Sequence, residues 1–298
     1  MDNGTNNGES ERPHDVAAAR RLLVRRLTAA GVPSPQADAM LLLEGALGVD
    51  RQTLLLQPDR PVSPEAGARL ADMLRRRVAR EPLQLILGQT NFYGLDLAVT
   101  PGVLVPRPET ERLVELVLQE LRTGAALLAD GAPTVLDVGT GTGAVALAIK
   151  AELPSARVWG SDVTPEAVSL AKRNAATLGL EVSFRLSDLL ADPDVAYMAA
   201  HCSALVSNPP YLPDSDRKQL PPEVNMDPGT ALFAGADGLE VARRLAWQTY
   251  KVLPSGALLA LELDPRNVHK FASLLVGWKD VRVESDLGGR ARFVLARR

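Results

Sequence analysis

The chain has 298 residues, 46% of them hydrophobic and 23% charged, enough for a packed core and for one large domain beside a smaller one. A formal net charge of -3 argues against the basic field that holds a protein on nucleic acid, and the polar stretch from Met1 to Arg12 lacks the apolar core of a secretory signal. The lone Cys202 cannot form an intrachain disulfide, and His14, His201 and His269 offer no metal-ligand spacing. No apolar run approaches the ~18 to 20 residues of a membrane span, so a cytoplasmic protein without a metal is expected.

In chain order, residues 1–13 read as a disordered tail. Residues 14–82 then place apolar side chains at helical spacing: Val16, Leu22, Leu23 and Leu27, then Met40, Leu41, Leu43 and Leu47, then Leu70, Met73 and Leu74. Pro33, Pro35, Pro58, Pro61 and Pro64 cut this stretch into short helices of a small helical domain, and the arginines at 75, 76, 77 and 80 read as a solvated face of its last helix. Residues 83–105 change to short β-prone pieces broken by Gly88, Gly94 and Gly102, which predicts a hairpin linker.

Residues 106–298 form the larger domain. After a helix over 110–121, strands are predicted at 134–138, 157–161, 181–186, 204–207 and 257–263, with helices between them; this alternation predicts a doubly wound α/β fold with a parallel sheet covered on both faces. Two further strands, 281–285 and 292–296, flank Gly288-Gly289 and predict an antiparallel hairpin at the end of the sheet.

The first predicted strand runs through Asp137 into Gly139-Thr140-Gly141-Thr142-Gly143 and on into a helix. Glycines let backbone approach a ligand closely, and free N–H groups at a helix start favour its polar or anionic groups. The spacing also fits the looser dinucleotide pattern, so the loop alone leaves dehydrogenase and methyltransferase open. Asp162 ends the second strand, where a carboxylate can accept hydrogen bonds from both hydroxyls of a ribose, and Thr164-Pro165 caps the helix that follows. Asp188, after the third strand, is placed to border an adenine. Asp137 is placed to accept from the loop amides or to meet the amino-acid end of a ligand.

Ser207-Asn208-Pro209-Pro210-Tyr211 follows the fourth strand. Each proline holds the residue before it extended, so this is a stiff pocket edge. The side-chain carbonyl of Asn208 and the backbone carbonyl of Pro209 can accept both hydrogens of a planar NH2 group, and Tyr211 offers an aromatic face to a flat amide or base.

Taken together, these residues resemble the peptide-chain release factor glutamine N5-methyltransferases, the PrmC/HemK family. The similarity runs from about Glu81-Pro82 onward through Pro106-Arg107-Pro108-Glu109-Thr110-Glu111, the 137–143 loop, Ser161-Asp162, Ser207 to Tyr211, Ala236-Asp237-Gly238-Leu239 and Asp286-Leu287-Gly288-Gly289-Arg290. The Asn-Pro-Pro-Tyr motif is shared with DNA adenine and RNA guanine methyltransferases, whereas the Pro-Arg-Pro-Glu-Thr-Glu segment is far more specific.

The resemblance implies methyl transfer from S-adenosylmethionine to the glutamine of the Gly-Gly-Gln loop of release factors. It implies cofactor binding by Gly139 to Gly143 and Asp162, glutamine binding by Asn208, Pro209, Pro210 and Tyr211, and substrate recognition by the helical domain. Neither direct nucleic-acid binding nor a membrane is expected. Three positions depart from the family pattern: Leu263-Asp264 after Glu262, Leu189 where some members have an aromatic beside the adenine, and Ala291 where an acid is common. The rival readings are a DNA or RNA amino-methyltransferase and a non-catalytic cofactor-binding module.

Overall fold

The computed structural model describes residues 13–123 and 132–298, so the expected tail at 1–13 lies almost wholly outside the described residues. The chain divides into two compact units, Met1–Leu87 and Gly88–Arg298.

The first unit is helical: α1 (Val16–Ala29), α2 (Pro35–Leu47), α3 (Arg51–Leu56), α4 (Pro64–Val78) and the short α5 (Leu83–Leu87). The starts are set locally. Asp15 accepts the Ala18 N–H at 2.7 Å, Asp50 accepts the Thr53 N–H at 2.7 Å and Ser63 accepts the Ala66 N–H at 3.2 Å, while Pro35 and Pro64 open α2 and α4. Leu23, Leu27, Leu42 and Leu43 are fully buried at the centre.

The arginine run of α4 does not all face solvent. Arg77 lies two heptad-spaced turns from Leu70 on the inward stripe, is 6% exposed, and donates from Nε to Asp38 of α2 at 2.7 Å. A buried guanidinium requires a partner, and Asp38, itself 8% exposed, supplies it.

The second unit opens with a hairpin, β1 (Gln89–Phe92) and β2 (Leu95–Ala98), followed by α6 (Glu111–Arg122). Then come β3 (Thr134–Val138), α7 (Ala144–Glu152), β4 (Arg157–Asp162), α8 (Pro165–Leu178), β5 (Val182–Leu186), α9 (Pro193–Ala199) and β6 (Ala204–Ser207). The chain continues through α10 (Gly229–Leu232), α11 (Glu240–Val252), β7 (Leu258–Glu262), α12 (Val268–Leu274), β8 (Lys279–Ser285) and β9 (Ala291–Arg297). The seven-stranded sheet has the order β5-β4-β3-β6-β7-β9-β8; its first five strands are parallel and β9 is antiparallel to both neighbours, as the sequence pattern predicts.

Both faces of the sheet are buried. Val135, Ala204 and Val206 pack with α6, α7, α8 and the hairpin residues Phe92 and Leu97 on one side; Leu136, Val138 and Leu205 pack with α9, α11 and α12 on the other. Side chains alternate across a strand, so continuous apolar runs are what a doubly covered sheet demands. Because β3 has β4 on one side and β6 on the other, the chain reverses direction across the sheet at β3. The crevice beyond the carboxyl ends of β3, β4 and β6 is where such sheets bind ligands.

One side chain in α8 ties the hairpin to the crevice. Asn174 is 3% exposed; its Oδ1 accepts the Ala98 N–H at 2.9 Å, and its Nδ2 donates to Ala98 O at 3.1 Å and Thr142 O at 2.9 Å.

Candidate active site

The crevice is an open cavity of about 850 Å³, counting the solvent-filled space at its mouth. Its floor is the glycine-rich loop. Gly139, Gly141 and Gly143 all have positive φ, at 74°, 56° and 85°. At Gly143 a Cβ would also press on Leu147, Ala171 and Phe184 at 3.1 to 3.3 Å, so the turn into α7 requires glycine twice over, for its backbone angle and for its packing.

The loop is held from beneath. The N–H groups of Gly139 and Thr140 donate to Ser161 O at 2.8 and 2.9 Å, and Thr140 Oγ1 donates to Asp137 Oδ2 at 2.6 Å. Asp137 is 1% exposed; burial pushes its carboxyl up to about 7, against the pull of the Thr140 hydroxyl and the Ala146 N–H at the start of α7. Asp162, at the end of β4, accepts the Gly141 N–H with Oδ2 at 2.9 Å and the Thr164 N–H with Oδ1 at 3.0 Å. Oδ1 also accepts the Thr164 hydroxyl at 3.1 Å, so Oδ2 is the oxygen that keeps a lone pair for a ligand hydroxyl.

Asp137, Gly139, Thr140, Gly141, Thr142 and Asp162 all line the cavity, with Val163, Thr164 and Ala167 beside them. Gly143, Asp188 and Leu189 do not. The Asp188 carboxylate turns to Arg244 of α11 at 2.7 Å, where it is half exposed, and Leu189 is buried in the core under α11 with φ at 53°.

After β6 stands the Asn-Pro-Pro-Tyr segment. Asn208 and Pro210 line the cavity; Pro209 is buried behind them, and Tyr211 is half-buried and packs into the core between the sheet and α11. The Tyr211 backbone is gripped closely: its carbonyl accepts Asn267 Nδ2 at 3.1 Å, and a Cβ on Gly238 would lie 2.2 Å from that same oxygen. Burial pushes the Tyr211 phenol well above its ordinary range, and the nearby Glu262 adds to this.

Asn208 Nδ2 donates to Thr110 Oγ1 at 3.1 Å, which leaves its side-chain oxygen as the group free to accept. Thr110 closes the short 3-10 turn Pro108–Thr110 and is 4% exposed. Behind it lies Glu262, the last residue of β7, 1% exposed, with both carboxylate oxygens buried and lacking a hydrogen-bond partner. Burial pushes Glu262 up to about 7, and the Thr110 hydroxyl and Arg292 pull it back.

Val103, Leu104, Pro106, Arg107 and Thr110 form a further wall, with Pro228, Thr230 and Ala231 across from them. Arg107 pairs with Asp227, whose side chain is almost wholly buried, and so joins the two walls. The 106–111 segment shows in the sequence only as a family-like pattern, and its place at the site follows from the fold. Pro228 to Ala231 carry no motif, and only proximity in the fold brings them to the site.

A parallel sheet of this order with an antiparallel hairpin, a glycine-rich turn after its first strand, an acid after its second and Asn-Pro-Pro-Tyr after its fourth defines a Rossmann-like methyltransferase. The fold is shared with the solved catalytic domain of hMettl16 in complex with a MAT2A 3′UTR hairpin, at TM-score 0.52 and 16% identity over 79% of this chain and 82% of that one. Family models described as "PrmC N-terminal domain" and "Methyltransferase small domain" match residues 18–88 and 115–224. A release factor glutamine methyltransferase of Deinococcus radiodurans is 49% identical over 92% of this chain and 95% of its own length, and one of Rhodospirillum rubrum is 40% identical over 98% and 88%. The chain belongs to the release factor glutamine methyltransferase family.

Proposed function

We propose that this chain binds S-adenosylmethionine in the cavity and methylates the side-chain amide nitrogen of the glutamine in the Gly-Gly-Gln loop of a peptide chain release factor, in the cytoplasm. The observation that carries the reading is the Asn208 amide. With Nδ2 donating to Thr110 at 3.1 Å, its oxygen is left to accept from a planar NH2 at the cavity wall, as a glutamine acceptor requires.

The cradle fits the cofactor. The positive-φ glycines at 139 and 141 bring loop backbone to the cavity with no Cβ in the way; Asp162 Oδ2 has acceptor capacity left for one ribose hydroxyl, and a second would take the place of the Thr164 hydroxyl on Oδ1. Leu104, Val163 and Ala167 supply apolar wall for a base. Gly139, Thr140, Gly141 and Thr142 would hold the amino-acid and sugar portions, with Gly143 turning the chain into α7 and Asp137 bracing the loop from below. Asp188 and Leu189 would reach the adenine edge only with a change in the Arg244 pairing. When bound, the cofactor supplies an electrophilic methyl group on a sulfonium.

An amide nitrogen is a poor nucleophile because its lone pair is delocalised, so the residues of the chain act by placement. Asn208 Oδ1 and the Pro209 carbonyl accept the two N–H bonds, Pro210 bounds the flat group while Tyr211 braces the segment from the core, and proximity can supply several kcal/mol of the barrier. The same two oxygens favour the positive character that develops on nitrogen. A free glutamine makes too few contacts for this, and binding of a whole release factor, with the helical unit as its grip, supplies the remainder.

The test is to incubate the protein with radiolabelled cofactor and intact release factor, a release factor with the glutamine replaced by alanine, or nucleic acid. Label is expected on the intact factor alone. Label on DNA or RNA, or label that persists without that glutamine, overturns the reading.

A further inference from the structure

We propose that Glu262 is a positioning residue for the acceptor pocket, acting through the Thr110 hydroxyl to fix which end of the Asn208 amide faces the substrate. The sheet brings the three together. β6 and β7 are adjacent and parallel with Ser207 paired to Leu261, so Asn208 and Glu262 are the next residues along, side by side at the carboxyl ends of the two strands. Thr110 arrives from the 3-10 turn and sits against both.

The polarity of this line decides the chemistry. A threonine hydroxyl has one hydrogen to give and lone pairs to receive. Free to rotate, it could donate to Asn208 Oδ1 as readily as accept from Nδ2, and a flipped Asn208 would then present NH2 to the NH2 of the substrate, donor against donor. An ionised carboxylate behind Thr110 only accepts. In that state it would claim the hydroxyl hydrogen, so that Thr110 receives from Asn208 Nδ2, the contact present at 3.1 Å, and Asn208 Oδ1 is turned to the cavity.

Glu262 is otherwise an anomaly. It is a fully buried acid whose two oxygens have no hydrogen-bond partner, with Arg292 Nη1 4.0 Å away while Arg292 Nε donates to Asp286 at 3.3 Å. A buried polar group left in this state costs stability and calls for an explanation. The Thr110 hydroxyl is near enough to favour the charged form of Glu262, yet no hydrogen bond joins them in the ligand-free chain, and contacts of this kind can tighten when substrate binds.

The inference rests on the proposed reading of Asn208 as the acceptor-binding group. Its test uses the full chain as Glu262→Gln, Thr110→Val, Thr110→Ser and the Glu262→Gln/Thr110→Val double variant. In single turnover with release factor, Glu262→Gln and Thr110→Val are each expected to slow methyl transfer at least about tenfold. Affinity for S-adenosylhomocysteine by calorimetry stays within about twofold, and Thr110→Ser returns to within a few fold of the parent. Two residues acting in one line are not additive, so the double variant should be no slower than the slower single variant.

A second readout needs no activity. The side-chain 15N–1H signals of Asn208, assigned by their loss in Asn208→Asp, should move in Glu262→Gln and Thr110→Val and stay in place in Thr110→Ser. Parental rates in Glu262→Gln, multiplicative losses in the double variant, or unmoved Asn208 signals overturn the proposal. A parent that methylates no release factor defeats the functional reading instead, and the amide signals still decide the positioning.

Discussion

The carboxylate of Asp162 accepts the backbone N–H of Gly141 at 2.9 Å, tying the end of β4 to the middle of the glycine-rich loop. One acid therefore shapes the loop and lines the cavity. Asp162→Ala should weaken S-adenosylmethionine binding by about 1.5 to 3 kcal/mol, the cost of losing a charged acceptor. Calorimetry on the purified variant measures it. An unchanged affinity would show that Asp162 does not hold the ribose, and tight NADH binding by the parent would favour a dehydrogenase.

Asn208→Ala should abolish most turnover while cofactor affinity stays within a few fold, because Asn208 follows β6, on the far side of β3 from the β4 end that carries Asp162. Single-turnover methyl transfer near the parental rate would sink the acceptor-pocket argument.

Asp137 and Glu262 are carboxyls of ordinary value 3.8 and 4.5 that burial holds at about 7 in the folded chain. Between those values the folded state binds more protons than the unfolded state, so stability falls as pH rises. The contribution is complete below about pH 4 and is lost as pH passes about 7. Asp137→Asn and Glu262→Gln keep an acceptor oxygen and remove the buried charge. Each should be more stable than the parent at pH 8, by up to about 3 kcal/mol, with the difference closing by pH 4. Thermal unfolding of the ligand-free protein at both values checks it, and a difference independent of pH would contradict it.

Gly238→Ala sets a Cβ against the Tyr211 carbonyl and places alanine at a φ of 71°. The backbone term alone is on the order of 1 to 3 kcal/mol. Because the displaced atom belongs to the acceptor segment, the variant should lose turnover more than cofactor affinity, read by kinetics beside calorimetry.

In the helical unit, Asp38→Ala leaves the Arg77 guanidinium buried without its carboxylate, which typically costs about 3 to 5 kcal/mol. Thermal melts of the variant against the parent measure this. Asp38→Ala combined with Arg77→Met should recover much of the loss, since removing both charges removes the desolvation penalty.

What the sequence makes legible is what local pattern controls. The strands read as apolar runs because both faces of the sheet are covered, and Gly139 to Gly143 read as a tight turn because few other residues reach positive φ. Asn208 to Tyr211 read as a stiff edge because proline restrains its neighbours. Long-range choices do not show. Nothing near Asn208 announces Thr110, which lies 98 residues away. Nothing near Asp227 announces Arg107, 120 residues away, and the arginine run of α4 hides that Arg77 turns inward to Asp38. Asp188 shows the same limit from the other side: its place after β5 points to the crevice, and Arg244, 56 residues on, takes its carboxylate.

Asn174 makes the hairpin and the glycine-rich loop parts of one mechanical circuit, since a single side chain grips Ala98 by both its N–H and its carbonyl and Thr142 by its carbonyl. A load placed on β2 reaches the loop through a few bonds with no slack between them. Thermodynamic linkage makes such traffic two-way. Any partner that binds the hairpin better in one loop conformation will find its own affinity altered by cofactor occupancy, and by the same factor that it alters the affinity of the cofactor.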